Sequence, residues 1–140
     1  MNRNDFAAPL RAHRVWLESL GAAGQRLELM DADLTSLDLS GENLSEAYLA
    51  GADLRGATLA RVKLYGSVLS GANLSGADLS GADLTKCELD DVSAVQTNFT
   101  HSNALRASLA TANLSRALFG PDAYLHGVAA RSWLDTARSR

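Results

Sequence analysis

The stretch from Leu69 to Leu89, LSGANLSGADLSGADLTKCEL, puts leucine at every fifth residue: Leu69, Leu74, Leu79, Leu84 and Leu89. The same register runs back to Leu29 and forward through Ala94, Phe99, Ala104, Leu109 and Leu114 to Phe119. That makes 19 consecutive positions, 15 of them Leu. Two residues before most of them lies a small side chain, most often alanine, as at Ala72, Ala77 and Ala82; Ser67, Cys87, Val92 and Thr97 occupy the same slot elsewhere. Between the two the residue is usually polar, as at Asn73, Asp78 and Asp83.

A period of five suits neither regular element. On a helix it overshoots the 3.6-residue turn and winds the stripe around the surface. On a continuous strand it sends successive leucines to opposite faces. It is met by a short extended segment followed by a turn. The small residue and the Leu, two apart, then point inward and the polar residue between them points out. Glycine at the second turn residue (Gly41, Gly51, Gly56, Gly66, Gly71, Gly76 and Gly81) fits a type II turn, which needs a positive φ there. From Lys86 onward that position is no longer Gly, so those turns are expected to change type or to strain a side-chain-bearing residue.

The quoted residues resemble the pentapeptide-repeat family, whose unit is roughly A-(D/N)-L-x-x. The resemblance spans residues 27–119, two-thirds of the chain. It implies an all-β solenoid: a right-handed, four-sided β-helix with four units per coil. Nineteen units then make about five coils, roughly 23 Å tall at ~4.8 Å per strand. The expected organisation is an N-terminal helical cap at residues 1–26, the solenoid at 27–120, and a C-terminal cap or dimer segment at 121–140. The family is functionally diverse, so the fold names no activity.

Before the repeat, Pro9 suits a first helical turn and Gly21 the position just past a helix end. Leu10, His13, Trp16, Leu17 and Leu20 share one helical face. The expected role is to cover the open lower coil, since an uncovered solenoid end exposes unpaired backbone. After the repeat an irregular or helical cap is expected, in which residues 128–138 could form a short helix, as a cap or as a homodimer contact. One coil breaks the leucine rule at Ala94 and Ala104, with Phe99 between them as volume compensation; Leu105 could slip inward instead. Glu42 occupies a nominally inward small slot and is expected to reach out near the lower rim or to distort its unit.

No catalytic pattern is present. His13, His101 and His126 lie in different segments without metal-ligand spacing. One cysteine, Cys87, excludes a disulfide framework; its inward position marks a core residue rather than a nucleophile. There is no phosphate-binding Gly-rich loop and no apolar run long enough to span a membrane. An enzyme, a cofactor, a metal and direct nucleic-acid binding are therefore not expected. The chain carries 13 Lys and Arg against 16 Asp and Glu, a net charge of −3, and the start lacks the apolar core of a signal peptide. A soluble cytoplasmic protein is expected.

Residues 28–119 hold 12 acids and six bases, a balance of −6. If residues 20 apart stack, one side shows Glu28, Asp31, Glu88, Asp90 and Asp91 with no base, around an outward Tyr48 and Val68. That acidic side with an apolar centre is the candidate partner-binding surface; the competing reading is a solvated wall that keeps the column soluble. Two functions follow. One is a non-catalytic interaction or scaffold solenoid for a protein partner. The alternative, implied by the family resemblance, is a DNA mimic that binds DNA gyrase or another type II topoisomerase. Its weak point is magnitude: duplex DNA offers roughly 14 charges over ~23 Å at one per ~1.7 Å.

Overall fold

The structure, a computed structural model, describes residues 2–120 and 138–139. It opens with helix α1 (Arg3–Glu18). Asn2 caps the helix: its side chain accepts the Asp5 N–H at 3.0 Å, and the Asp5 carboxylate accepts the Asn2 N–H at 3.0 Å. This reciprocal box satisfies two N-terminal donors at once and starts the helix earlier than the proline suggests. Pro9 therefore stands inside α1 rather than in its first turn. The helix also ends earlier than expected, at the Ser19 cap. Leu20 has left it with φ +54 and is 95% exposed, so it is not on the inner face. That face is Phe6, Leu10 and His13, all buried, with Trp16 and Leu17 half-buried.

From Leu27 onward the five-residue register becomes turn after turn. The Leu carbonyl accepts the N–H three residues on, as from Leu74 to Ala77 at 2.9 Å, and the second central residue has positive φ. Gly71, Gly76 and Gly81 hold it at +68 to +71°. Past Gly81 the turn does not change: Lys86, Asp91, Gln96, His101, Arg106, Thr111 and Arg116 adopt φ of +57 to +60°. Of the two outcomes expected there, the left-handed non-glycine residue is the one observed. Stacking enforces it, because the N–H of Lys86 donates to Leu105 and that of Asp91 to Ala110, each at 2.9 Å. Such bonds, and the unpaired N–H that breaking them would leave, offset a conformational cost of ~1–2 kcal/mol per residue.

Parallel pairing joins residues 20 apart, in four ladders. The first is Glu28, Tyr48, Val68, Glu88 and Ser108; the second Asp33, Asp53, Asn73, Ser93 and Asn113. The third is Asp38, Thr58, Asp78, Asn98 and Leu118, and the fourth Asn43, Lys63, Asp83 and Asn103. Each rung is a single residue, because the turn consumes most of a five-residue unit. Extended strands are consequently rare: β1 (Leu118–Phe119) pairs in parallel with β2 (Arg138–Ser139). At Arg138 the chain is thus strand, not the end of a helix. The remaining expectations for residues 121–137 lie outside the described residues.

The interior follows the register. Leu34, Leu44, Leu69, Leu74 and Leu79 are fully buried, and the alanines of the small slot fill in between. Ala94 and Ala104 are buried too, and Leu105 stays at its turn position, where its carbonyl accepts the Lys86 N–H. Phe99 is buried, and its ring lies parallel to that of Phe119 one step along the column, centroids 5.0 Å apart. The Glu42 unit is undistorted: its N–H bonds Leu39 and its carbonyl accepts Lys63. Its carboxylate instead reaches Arg14 of α1 at 3.9 Å.

Candidate interaction side

Where the outward residue is Asp or Asn it has a specific task. In ten units an Asp or Asn Oδ1 accepts the backbone N–H two residues on, as from Thr35 to Asp33, Ser75 to Asn73 and Thr85 to Asp83 at 3.0–3.1 Å. These Asx contacts hold the first turn residue. All ten lie on the second, third and fourth ladders; the first ladder, with no Asp or Asn rung, has none among the described residues. Sequence reading recognised the polar position but not this bond, whose signal was the restriction to residues with a short carbonyl arm.

The expected surface residues do come together on that first ladder. Glu28, Tyr48, Val68 and Glu88 are successive rungs, with Asp31 and Asp91 at the adjoining turns. Glu28, Asp31, Glu88 and Asp91 are exposed; Tyr48, Val68 and Asp90 are half-buried. The Asp31 carboxylate leans along the column onto Gly51, where a β-carbon would collide with it. Higher up, Asp90 Oδ1 accepts the Ala110 N–H at 2.8 Å and Asp91 accepts the Thr111 hydroxyl.

Two expectations are corrected here. The side is not devoid of base, because Arg26 stands at its foot. Its guanidinium lies 3.6 Å from the Tyr48 ring centroid and 5.4 Å from that of Trp16, and its Nε donates to the Glu46 carbonyl at 2.5 Å. Tyr48 is therefore no open aromatic anchor but part of the joint between α1 and the column. Arg26 lies two residues before Glu28, the first acid of the ladder. Arg26 occupies the turn register 20 before Glu46, which is where it binds. The more exposed ring is Tyr65, at 39%, with Lys86 Nζ 5.6 Å from its centroid.

His13 is a structural group. Its buried ring accepts the Leu27 N–H at Nδ1 and, in the tautomer this requires, donates from Nε2 to the Ser45 carbonyl, both at 2.9 Å. Burial lowers its pKa from the ordinary value of 6.5, and the Arg26 charge adds to this; the Ser45 bond and Glu46 oppose it. Burial pushes the Cys87 thiol up to about 12, so it is a neutral core group. Asp33 is held below the usual carboxylate range by the Thr35 hydroxyl and N–H, and Asp53 by the two-pronged Arg55 contact at 2.8 and 2.6 Å. Among the described residues no three His, Cys, Asp or Glu are placed to hold a metal ion, and no helix is long and apolar enough to cross a membrane.

A family model for pentapeptide repeats, in eight copies, matches residues 28–64, 52–91 and 63–100, more than half of the chain. A search of curated proteins finds no match. Among solved structures, the pentapeptide repeat protein Rfr23 from the cyanobacterium Cyanothece 51142 aligns with a TM-score of 0.50. It is 18% identical, over 91% of this chain and 92% of that one. A pentapeptide repeat protein from the Arabidopsis thaliana thylakoid lumen is 29% identical over 65% of this chain and 67% of its own, with a TM-score of 0.41. QnrB1, a plasmid-mediated fluoroquinolone resistance protein, is 17% identical over 74% and 70%, with a TM-score of 0.47. Pentapeptide-repeat neighbours imply a right-handed β-helix, and the 20-residue pairing agrees with four units per coil.

Proposed function

We propose, from the premise that this chain belongs to the pentapeptide-repeat family, that it is a non-catalytic interaction protein whose first ladder docks a basic protein partner. One observation carries the reading. Among the described residues the first ladder alone has none of the Asx bonds that tie the Asp and Asn rungs of the other three to their own turns. Its rungs, Glu28, Val68 and Glu88 with Tyr48 among them, are chosen on some ground other than turn chemistry. Acids around a half-buried apolar centre suit a rigid, electrostatically steered contact. A cytoplasmic setting without cofactor is part of the same proposal, as is a dimer contact through residues 121–140.

Photo-crosslinking tests the side directly. A benzoylphenylalanine at Val68 or Glu88 should capture one partner in cells, whereas the same group at Thr58 or Lys63 should not. Glu88→Lys with Asp91→Lys should lower the association rate and its salt dependence. Capture from Thr58 or Lys63 instead would overturn the assignment. The gyrase alternative makes its own demand. The protein must alter supercoiling by the purified enzyme, and the lysine reversals must abolish the effect.

A further inference from the structure

We infer that the foot of the first ladder is an open strand edge that takes an extended segment of a basic partner, in the pattern apolar–Lys/Arg–apolar. The inference rests on the acidic-side reading above and names what the partner presents to it.

Every higher rung of the ladder turns both backbone groups toward the rung below. Tyr48 donates its N–H to the Leu27 carbonyl at 2.9 Å and accepts the Leu29 N–H at 2.8 Å. Val68 does the same with Ala47 and Leu49, at 2.9 and 2.7 Å. Glu28 pairs only upward, with Tyr48, and among the described residues no backbone group meets its own N–H or carbonyl. Helix α1 does not supply the missing strand. It runs alongside, leaving an open groove of about 490 Å³ between Ala8, Pro9 and Ala12 on one wall and Leu27 and Leu29 on the other. Leu27 is buried, but beyond it the core is only partly covered at this corner. Leu29 and Ala32 are half-buried and Met30 is 59% exposed, whereas Leu49 and Ala52 directly above are 1% and 0% exposed.

An unpaired edge beside an apolar groove is the geometry of strand addition, in which backbone bonds give affinity and alternate side chains give selectivity. The register prescribes the occupant. Residues flanking the new rung point inward, as Leu27 and Leu29 do, and enter the groove as apolar side chains. The rung residue points outward beneath Glu28, about one strand spacing of ~4.8 Å away. There the Glu28 carboxylate favours a cation as its cross-strand neighbour. Arg26 keeps its charge but carries its guanidinium up the column, onto the Glu46 carbonyl and the Tyr48 ring one coil above, and away from the position below Glu28.

Random short peptides displayed on phage and selected against the full chain provide the test. The expected enrichment is apolar–Lys/Arg–apolar, and Glu28→Lys should switch the central preference to acidic. N-methylation of the residue after the cation removes the N–H that would meet the Glu28 carbonyl and should weaken binding about tenfold; Ala8→Phe, which fills the groove, should do likewise. Amide exchange at Glu28 should slow in the complex. If the selected peptides tolerate N-methylation and Ala8→Phe but lose affinity with Asp90→Lys and Asp91→Lys, strand addition is wrong while the acidic side stands. If they bind without regard to any of these changes, both fall. Enrichment of nothing, with the chain self-associating through this corner, would make a second copy the occupant and overturn the basic partner.

Discussion

The first and second ladders are built on the same interior yet face the solvent differently. Behind them Leu69 and Leu74 are equally buried, at 0% each. In front, Asp33, Asp53, Asn73 and Asn113 of the second ladder each bind the N–H two residues along, while Glu28, Tyr48, Val68, Glu88 and Ser108 of the first bind none. A repeat thus has two independent contracts, one with the core and one with the turn. Only the first is kept throughout. The contrast also bears on charge: carboxylates such as Asp33 and Asp53 are engaged by their own turns, so the 12 acids of residues 28–119 overstate what a partner meets.

The largest test asks whether the interior really is common to both. Leu69→Ala and Leu74→Ala should each cost about 2–5 kcal/mol in urea unfolding, as buried large-to-small changes do. A cost confined to one of them would break the equivalence.

A second test separates the foot of the first ladder from the rest. His13→Ala strips partners from the Leu27 N–H and the Ser45 carbonyl and should cost about 1–3 kcal/mol. The pH dependence has a definite sign. Because burial lowers the folded-state pKa, the stabilisation is complete above the ordinary 6.5. It is lost as pH falls from there through the lowered folded value, since the unfolded ring takes up its proton first. Unfolding measured from pH 8 to pH 5 should show this loss in the native chain and lack it in His13→Ala.

The smaller effects address the outward contract itself. Asn73→Ala removes the acceptor of the Ser75 N–H and should cost about 0.5–1.5 kcal/mol. Val68→Ala touches no such bond and should cost less. The reverse change is the sharpest: Val68→Asn supplies an acceptor for the Ser70 N–H and should stabilise the column by a few tenths to about 1 kcal/mol, while weakening partner capture at that rung. If Val68→Asn destabilised the fold, the first ladder would have a structural reason of its own to exclude Asn.

How much of this was legible follows from the range of the forces. Leucine at every fifth place, with a small residue two before it, determined the inward set and the turns, because side-chain direction and turn geometry are local properties of the chain. The ends were read less well. Pro9 and Leu20 misplaced the limits of α1, since the Asn2–Asp5 box and the Ser19 cap outweighed the apolar spacing. Adding up residues 20 apart collected Glu28, Tyr48, Val68 and Glu88 on one side once four units per coil were taken from the family resemblance. What only the tertiary structure decided were contacts between segments distant along the chain. Arg26 closes over Tyr48, His13 joins Leu27 to Ser45, and stacking holds Lys86 and Asp91 in a left-handed turn that their side chains alone disfavour. No five-residue pattern encodes these contacts, because each depends on where the coil above or the helix below happens to lie.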